Sequence, residues 1–150
     1  MKNNCEEFDV QVHIKDIMSE EVTTIESDSS VEQCESMMLK TNRRCVPVVD
    51  DSGNCVGVLS HSDILRVRNS KQDVAKVQVM DIMSRHVVAV SPHCSVDDCM
   101  ELMIENGIHH VLVLTNKRVS GIVSVIDIIQ VEKARTYNPF AEADSFVPTR

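Results

Sequence analysis

The chain has 150 residues, of which 43% are hydrophobic and 25% are charged, a composition typical of globular proteins that dissolve in water. Its formal net charge of −8 argues against a broad nucleic-acid surface, because binding DNA or RNA requires clustered Lys and Arg. No apolar run is long enough to span a bilayer, and residues 1–9 are polar and acidic, unlike a secretory signal. We therefore expect a cytoplasmic protein that binds neither nucleic acid nor membrane.

The side chains that carry catalysis or bind metals show no specific arrangement in this sequence. The six cysteines include no Cys-x-x-Cys spacing, and four of them stand among apolar residues, so disulfides are not expected. His93-Cys94 and His109-His110 are adjacent pairs, and no further ligand spacing completes a metal site around them. No nucleophile with a base and no carboxylate pair is evident. We predict neither an enzyme, nor a metal site, nor a required cofactor.

An internal repeat determines the predicted architecture. Residues 16–19, Asp-Ile-Met-Ser, recur as residues 81–84. At the same offset, Val22, Ser30, Val31, Cys34, Met38, Val46 and Val48 match Val87, Ser95, Val96, Cys99, Met103, Val111 and Val113. After the loss of one residue in a turn, Gly57, Ser60, Asp63 and Ile64 match Gly121, Ser124, Asp127 and Ile128. The chain is therefore predicted to be two copies of one small unit.

Each copy is predicted to contain, in order, a helical turn, a short strand, a helix, a two-strand hairpin and a second helix. The first helix of each copy shows apolar residues at i, i+3 and i+7. Ser29 with Glu32, and Ser95 with Asp98, have the spacing of capping residues at the two helix starts. The β-branched runs 45–49 and 55–59 flank a turn at residues 50–54, and 110–114 and 119–123 repeat this hairpin.

The predicted boundaries follow from the repeat and from the composition of the segments outside it. Repeat 1 covers residues 12–67, a polar linker covers 68–76, repeat 2 covers 77–133, and a tail covers 134–150. The tail contains Tyr137, Phe140 and Phe146, three of the four aromatic residues, which favours an interaction element. The alternative is a terminal segment with incidental rings.

Both repeats resemble a known family. The strings VTTIESDSSVEQCESMM and RRCVPVVDDSGNCVGVLSHSDIL in the first copy, and VVAVSPHCSVDDCMELMIENGIHHVLVL and VSGIVSVIDII in the second, resemble the CBS domain. Together they resemble the tandem pair called a Bateman module, over residues 12–130. The resemblance implies an α/β (α+β) fold of two β-α-β-β-α repeats packed about a pseudo-two-fold axis, with two clefts. It also implies an adenosine-containing ligand such as AMP, ADP, ATP or S-adenosylmethionine, and assembly as a homodimer.

The resemblance assigns candidate ligand residues to the start of the last helix in each repeat. Ser60 with Asp63, and Ser124 with Asp127, match the family motif in which the carboxylate accepts hydrogen bonds from ribose hydroxyls. A carboxylate suits a vicinal diol, and the free amides of a helix start suit a phosphate. The alternative is that each serine caps its helix and each aspartate supports the first turn.

The other candidates precede or lie within strands. Arg44, His109 and His110 occupy positions where similar proteins place phosphate-contacting side chains, against the alternative of a solvated basic corner or a packed histidine. In the first strands, the pairs Thr24-Ile25 and Ala89-Val90 occupy positions where the family presents backbone and apolar surface to adenine, against the alternative of plain core.

The two clefts differ at two positions. Leu112 replaces Pro47, and Ala89 replaces Thr24, so we expect unequal occupancy of the two clefts. The larger loss of binding is expected from changing Asp63. The function that the resemblance implies is a non-enzymatic sensor that signals to a partner protein, and the alternative is a ligand-free dimerisation scaffold.

Overall fold

The computed structural model describes residues 11–136. Six strands are present: β1 (Ile25–Glu26), β2 (Cys45–Val49), β3 (Cys55–Ser60), β4 (Ala89–Val90), β5 (His110–Thr115) and β6 (Arg118–Ser124). The α-helices are α1 (Val31–Thr41), α2 (His61–Asn69), α3 (Val79–Ile82), α4 (Val96–Asn106) and α5 (Val125–Thr136), and a 3-10 turn covers Ile14–Asp16.

The two repeats have the same sheet topology. In the first, β1 pairs in parallel with β2, and β2 pairs antiparallel with β3. In the second, β4, β5 and β6 repeat that order and those directions. Each hairpin has a register shift, after Val48 in the first and after Val113 in the second. The predicted fold of two β-α-β-β-α units is confirmed.

Capping residues set the helix starts, and one predicted cap was wrong by one position. The cap of α1 is Ser30, whose hydroxyl accepts from the Gln33 amide at 3.1 Å, rather than Ser29 paired with Glu32. Ser30 directly precedes the first apolar residue of the helix, and the carbonyl of Ser29 instead accepts from Val79. In α4, Ser95 accepts from the Asp98 amide at 3.1 Å, as predicted.

The two hydrophobic cores are completed by an exchange between the repeats. We call residues 12–19 arm 1 and residues 77–84 arm 2. Ile14 of arm 1 is fully buried in the cluster built from α4, β5, β6 and α5. Val79 of arm 2 is fully buried in the cluster built from α1, β2, β3 and α2. Each repeat therefore covers the core of the other.

Each arm is held by a backbone bridge against a glycine-containing strand. Ser19 exchanges two 2.9 Å hydrogen bonds with Ile122 of β6, and Ser84 exchanges two 2.9 Å bonds with Val58 of β3. Neighbouring Gly121 and Gly57 let the arms approach closely. A Cβ on Gly121 would lie 2.8 Å from the carbonyl oxygen of Ser19, and a Cβ on Gly57 would lie 2.7 Å from that of Ser84.

Helical structure extends beyond two of the predicted boundaries. Helix α2 reaches Asn69, so it includes the first residues of the expected linker. There, the Arg68 guanidinium forms two hydrogen bonds to the Glu35 carboxylate of α1. Helix α5 continues into the expected tail as far as Thr136. The tail aromatics Tyr137, Phe140 and Phe146 lie outside the described residues.

Candidate functional site

The Asp63 carboxylate lies at the junction of β3 and α2, where it is bonded mainly within its own helix turn. Its Oδ2 accepts from the Ser60 amide at 2.9 Å and from the Ser60 hydroxyl at 2.8 Å. The Ser60 hydroxyl in turn accepts from the Asp63 amide at 3.3 Å. The Arg66 guanidinium donates from Nη1 to Oδ1 at 2.8 Å. The alternative interpretation of these residues as a helix cap therefore describes what the protein alone does with them.

Asp127 occupies the same place between β6 and α5 with fewer bonds. Its Oδ2 accepts from the Ser124 amide at 2.8 Å, and the Ser124 hydroxyl accepts from the Asp127 amide at 3.2 Å. Its Oδ1 accepts no hydrogen bond from any residue in the range 11–136. Since an ionised carboxylate offers about four acceptor positions, Asp127 has room for both hydroxyls of a diol.

The basic candidates lie beside these helix starts. The Arg44 carbonyl accepts from the first amide of α2 at 2.8 Å, and the His109 carbonyl accepts from the first amide of α5 at 2.9 Å. His110 begins β5 directly opposite Ser124. Arg44, His109 and His110 are exposed to solvent. Each repeat therefore gathers a hydroxyl, a carboxylate and an exposed basic or imidazole side chain at one end of its hairpin.

The first-strand candidates line the same sheets on the neighbouring strand. Ile25 of β1 pairs with Val48, while Ala89 and Val90 of β4 pair with Leu112 and Val113. Thr24 directly precedes β1. All four candidate residues are half-buried. They lie beside the hairpins, where Ile25 and Val90 pack against the two cores without being fully buried themselves.

Cys45 is a further polarisable side chain at the first site, one that the sequence did not single out for binding. It begins β2 opposite Ser60. Desolvation raises the pKa of its thiol, and the charge of Asp63 raises it further. His110 occupies the equivalent position in the second repeat. The two sites therefore differ in the side chain that begins their central strand.

A pocket of about 320 Å³ opens beside Asp63. It is lined by Asp63, Arg66, Val67, Ser70, Gln72 and Ile82. Ile82 belongs to arm 2, so one side chain of the pocket lining comes from the first segment of the other repeat. Ile82 was not among the site residues predicted from the sequence, although the recurrence of Asp-Ile-Met-Ser near the start of each repeat was a signal that the arms carry a shared role.

Thiols, metal ligands and membrane-spanning helices were the remaining features to locate within the described part of the chain. Cys34, Cys45, Cys55, Cys94 and Cys99 are free thiols. No three His, Cys, Asp or Glu side chains among residues 11–136 are grouped as metal ligands. Along the same residues, no helix combines the length and hydrophobicity that crossing a membrane requires.

The architecture can be compared with known proteins. The family model for the CBS domain matches residues 14–70 and again residues 79–133. The chain belongs to the CBS-domain family. Its tandem CBS pair is 26% identical over 115 residues to the CBS domain-containing protein YhcV of Bacillus subtilis, covering 77% of this chain and 81% of that protein. A Methanocaldococcus jannaschii protein of uncharacterised function, MJ1225, is 25% identical over 117 residues, and the match covers 78% of this chain and 41% of that protein.

Solved CBS structures show the same fold. The CBS domain pair of protein MJ0100, in complex with 5′-methylthioadenosine and S-adenosyl-L-methionine, has a TM-score of 0.70 at 28% identity. That match covers 84% of this chain and 99% of the other. The CBS domain of a membrane protein from Sphaerobacter thermophilus has a TM-score of 0.67 at 27% identity, covering 80% of this chain and 87% of the other.

Proposed function

We propose that this CBS pair is a non-catalytic sensor that binds an adenosine-containing ligand, AMP, ADP, ATP or S-adenosylmethionine, and signals to a partner protein. The observation that supports it most is the MJ0100 pair, which has the same fold and holds two adenosine compounds. In this chain, Asp63 and Asp127 are the carboxylates that would accept hydrogen bonds from the ribose, one at the start of the last helix of each repeat.

The ligand would meet complementary groups at each site. The carboxylate accepts hydrogen bonds from the ribose hydroxyls, and the half-buried apolar residues of β1 and β4 offer surface for the base. The exposed side chains of Arg44 and His109 supply positive charge for a phosphate, the histidine only when it is protonated. Ile82 supports this assignment at the first site because it adds an apolar side chain to the lining of the pocket that Asp63 also lines.

Calorimetric titration of the full chain with AMP, ADP, ATP and S-adenosylmethionine tests the proposal. Asp63→Ala and Asp127→Ala should each weaken binding by roughly ten- to a hundredfold, because a charged acceptor of ribose hydrogen bonds contributes on the order of 1.5–3 kcal/mol. Asp98→Ala is the matched control, because Asp98, like Asp63, is the third residue of its helix and follows a capping serine by three positions. Its effect on affinity should be less than about twofold.

Thermal melts of the same variants separate binding from capping. Removal of a capping partner lowers the stability of the free protein by about 0.5–2 kcal/mol, and Asp63 has more bonds to lose than Asp127. Unchanged affinity in both single variants, together with lower melting temperatures, would leave only the capping role. Release of hydrolysed nucleotide during the titration would contradict the non-catalytic part of the proposal.

A ligand-free dimerisation scaffold remains the second candidate, and one observation favours it. Large apolar side chains are exposed on four helices: Leu39 76%, Leu65 46%, Ile104 73%, Ile126 57% and Ile129 54%. We propose that these side chains are covered in a homodimer, which also fits a sensor. Light scattering should give a dimer mass, and Leu39→Lys with Ile104→Lys should shift it to the monomer. A monomeric natural chain at micromolar concentration would contradict the dimer.

A further inference from the structure

The residue one helical turn after the aspartate differs between the two clefts. One turn after Asp63, Arg66 donates to the Oδ1 atom of that carboxylate at 2.8 Å. The equivalent position one turn after Asp127 is Gln130, which is exposed. Arg66 also lines the pocket of about 320 Å³ beside Asp63. In repeat 1, a guanidinium is therefore bonded to the carboxylate that would receive the ribose. In repeat 2, the residue at the equivalent position carries a neutral amide.

The arginine changes what the carboxylate can still accept. The Ser60 amide, the Ser60 hydroxyl and Arg66 together occupy three of about four acceptor positions on Asp63. A vicinal diol donates two hydrogen bonds, so it fits fully only if Arg66 moves away. The Arg66 side chain is 77% exposed, whereas the Asp63 side chain is 17% exposed, so the arginine is free to swing toward solvent.

We propose that Arg66 determines the ligand preference of the Asp63 cleft, favouring adenosine compounds that carry a phosphate over neutral nucleosides. The inference rests on the proposed function. When a diol displaces Arg66 from Asp63, the guanidinium loses its counter-charge. A phosphate on the same ligand replaces that counter-charge through a charge-assisted hydrogen bond, whereas a neutral nucleoside leaves the guanidinium to water.

The test compares AMP with adenosine by calorimetry. Asp127→Asn is the background, because an asparagine oxygen can still accept from the Ser124 amide while the second cleft loses its charge. Arg66→Gln, which introduces the side chain found in repeat 2, should lower the ratio of AMP affinity to adenosine affinity by about three- to tenfold. The ratio should fall for two reasons. Adenosine should bind more tightly because Asp63 gains a free acceptor position, and AMP should bind more weakly because its phosphate loses the guanidinium.

Two further variants make the comparison specific. Arg68→Gln removes the same charge from the same helix, yet Arg68 pairs with Glu35 and not with Asp63, so the ratio should change by less than about twofold. Gln130→Arg in an Asp63→Asn background should raise the ratio at the second cleft. That reciprocal change tests the idea independently of the stability of the Arg66 variant.

The outcomes distinguish this inference from the proposed function. If the natural chain binds none of AMP, ADP, ATP, S-adenosylmethionine and adenosine, the proposed function is wrong and the inference falls with it. If it binds only compounds that carry no phosphate, or if AMP and adenosine both bind and Arg66→Gln leaves the ratio of their affinities unchanged, only the inference is wrong. Weaker binding of adenosine to Arg66→Gln would also overturn it, because the neutral ligand is expected to bind at least as well.

Discussion

Adding one methyl group to Gly121 or Gly57 should weaken the contact by which the repeats hold each other's arms. In Gly121→Ala, the new Cβ would lie 2.7 Å from the Met18 sulfur and 2.8 Å from the Ser19 carbonyl oxygen. The methionine can rotate, but the carbonyl cannot move without cost, because it accepts the Ile122 amide at 2.9 Å. Gly57→Ala would create the same conflict with the carbonyl of Ser84, 2.7 Å away.

The expected loss follows from the contacts that must change. Displacing arm 1 breaks two backbone hydrogen bonds, each of which contributes about 0.5–1.5 kcal/mol net. Overpacking in a close contact costs typically about 1–3 kcal/mol. Replacing glycine by alanine lowers the conformational entropy of the unfolded chain, which offsets about 0.4–1 kcal/mol of this loss of stability. We therefore expect each variant to lower the free energy of unfolding by about 2–4 kcal/mol.

Urea unfolding followed by circular dichroism measures this loss, and amide hydrogen exchange locates it. Exchange at Ser19 and Ile122 should accelerate in Gly121→Ala. Gly107→Ala is the control, because Gly107 has φ +60° with nothing within 4 Å of an added Cβ, so its cost is the left-handed backbone alone. Gly121→Ala that is as stable as the natural chain, with unchanged exchange at the bridge, would refute the reasoning.

Two other predictions concern the core thiols and one turn. Burial raises the pKa of the Cys34 and Cys99 thiols to about 11, so the unfolded chain ionises first and the free energy of unfolding should fall between pH 9 and 11. Urea unfolding at stepped pH measures this fall, and a Cys34→Ala/Cys99→Ala variant should show a shallower one. Lys117 has φ +66° in the β5–β6 turn, and Lys117→Gly should raise the free energy of unfolding by about 0.5–1 kcal/mol in the same assay. A less stable Lys117→Gly variant would contradict the inference that the left-handed backbone of Lys117 is strained.

The repeat made the fold predictable because the same apolar spacing occurs twice in one register. Cys34 and Met38 of α1, and Cys99 and Met103 of α4, occupy equivalent buried places. The error at the first helix cap arose where Ser29 and Ser30 are adjacent and both have a polar residue three positions later. Alignment with Ser95, which is unambiguous, identifies Ser30 as the equivalent cap.

The exchange of arms cannot be predicted from local sequence patterns. Ile14 and Val79 are single apolar residues near polar neighbours, and nothing in the sequence around either one indicates that it completes the core of the other repeat. The signal exists only as a pairing between distant positions, in which a glycine at 57 or 121 meets a Met-Ser pair from the opposite arm. A strand residue without a side chain permits that approach, and any larger residue would force the arm away.

The candidate site shows a second limit of the sequence, since one motif serves two kinds of chemistry. Ser-x-x-Asp at a helix start is the spacing of a capping pair, and both copies form that pair. The same carboxylate can accept a ligand diol only with the acceptor positions that the cap leaves over. Those positions depend on whether the serine hydroxyl donates to the carboxylate, as Ser60 does to Asp63, and on the residue one turn later, Arg66 or Gln130, which is not part of the motif. The acceptor positions left on the two carboxylates therefore differ partly through a residue outside the motif, where the repeats have diverged.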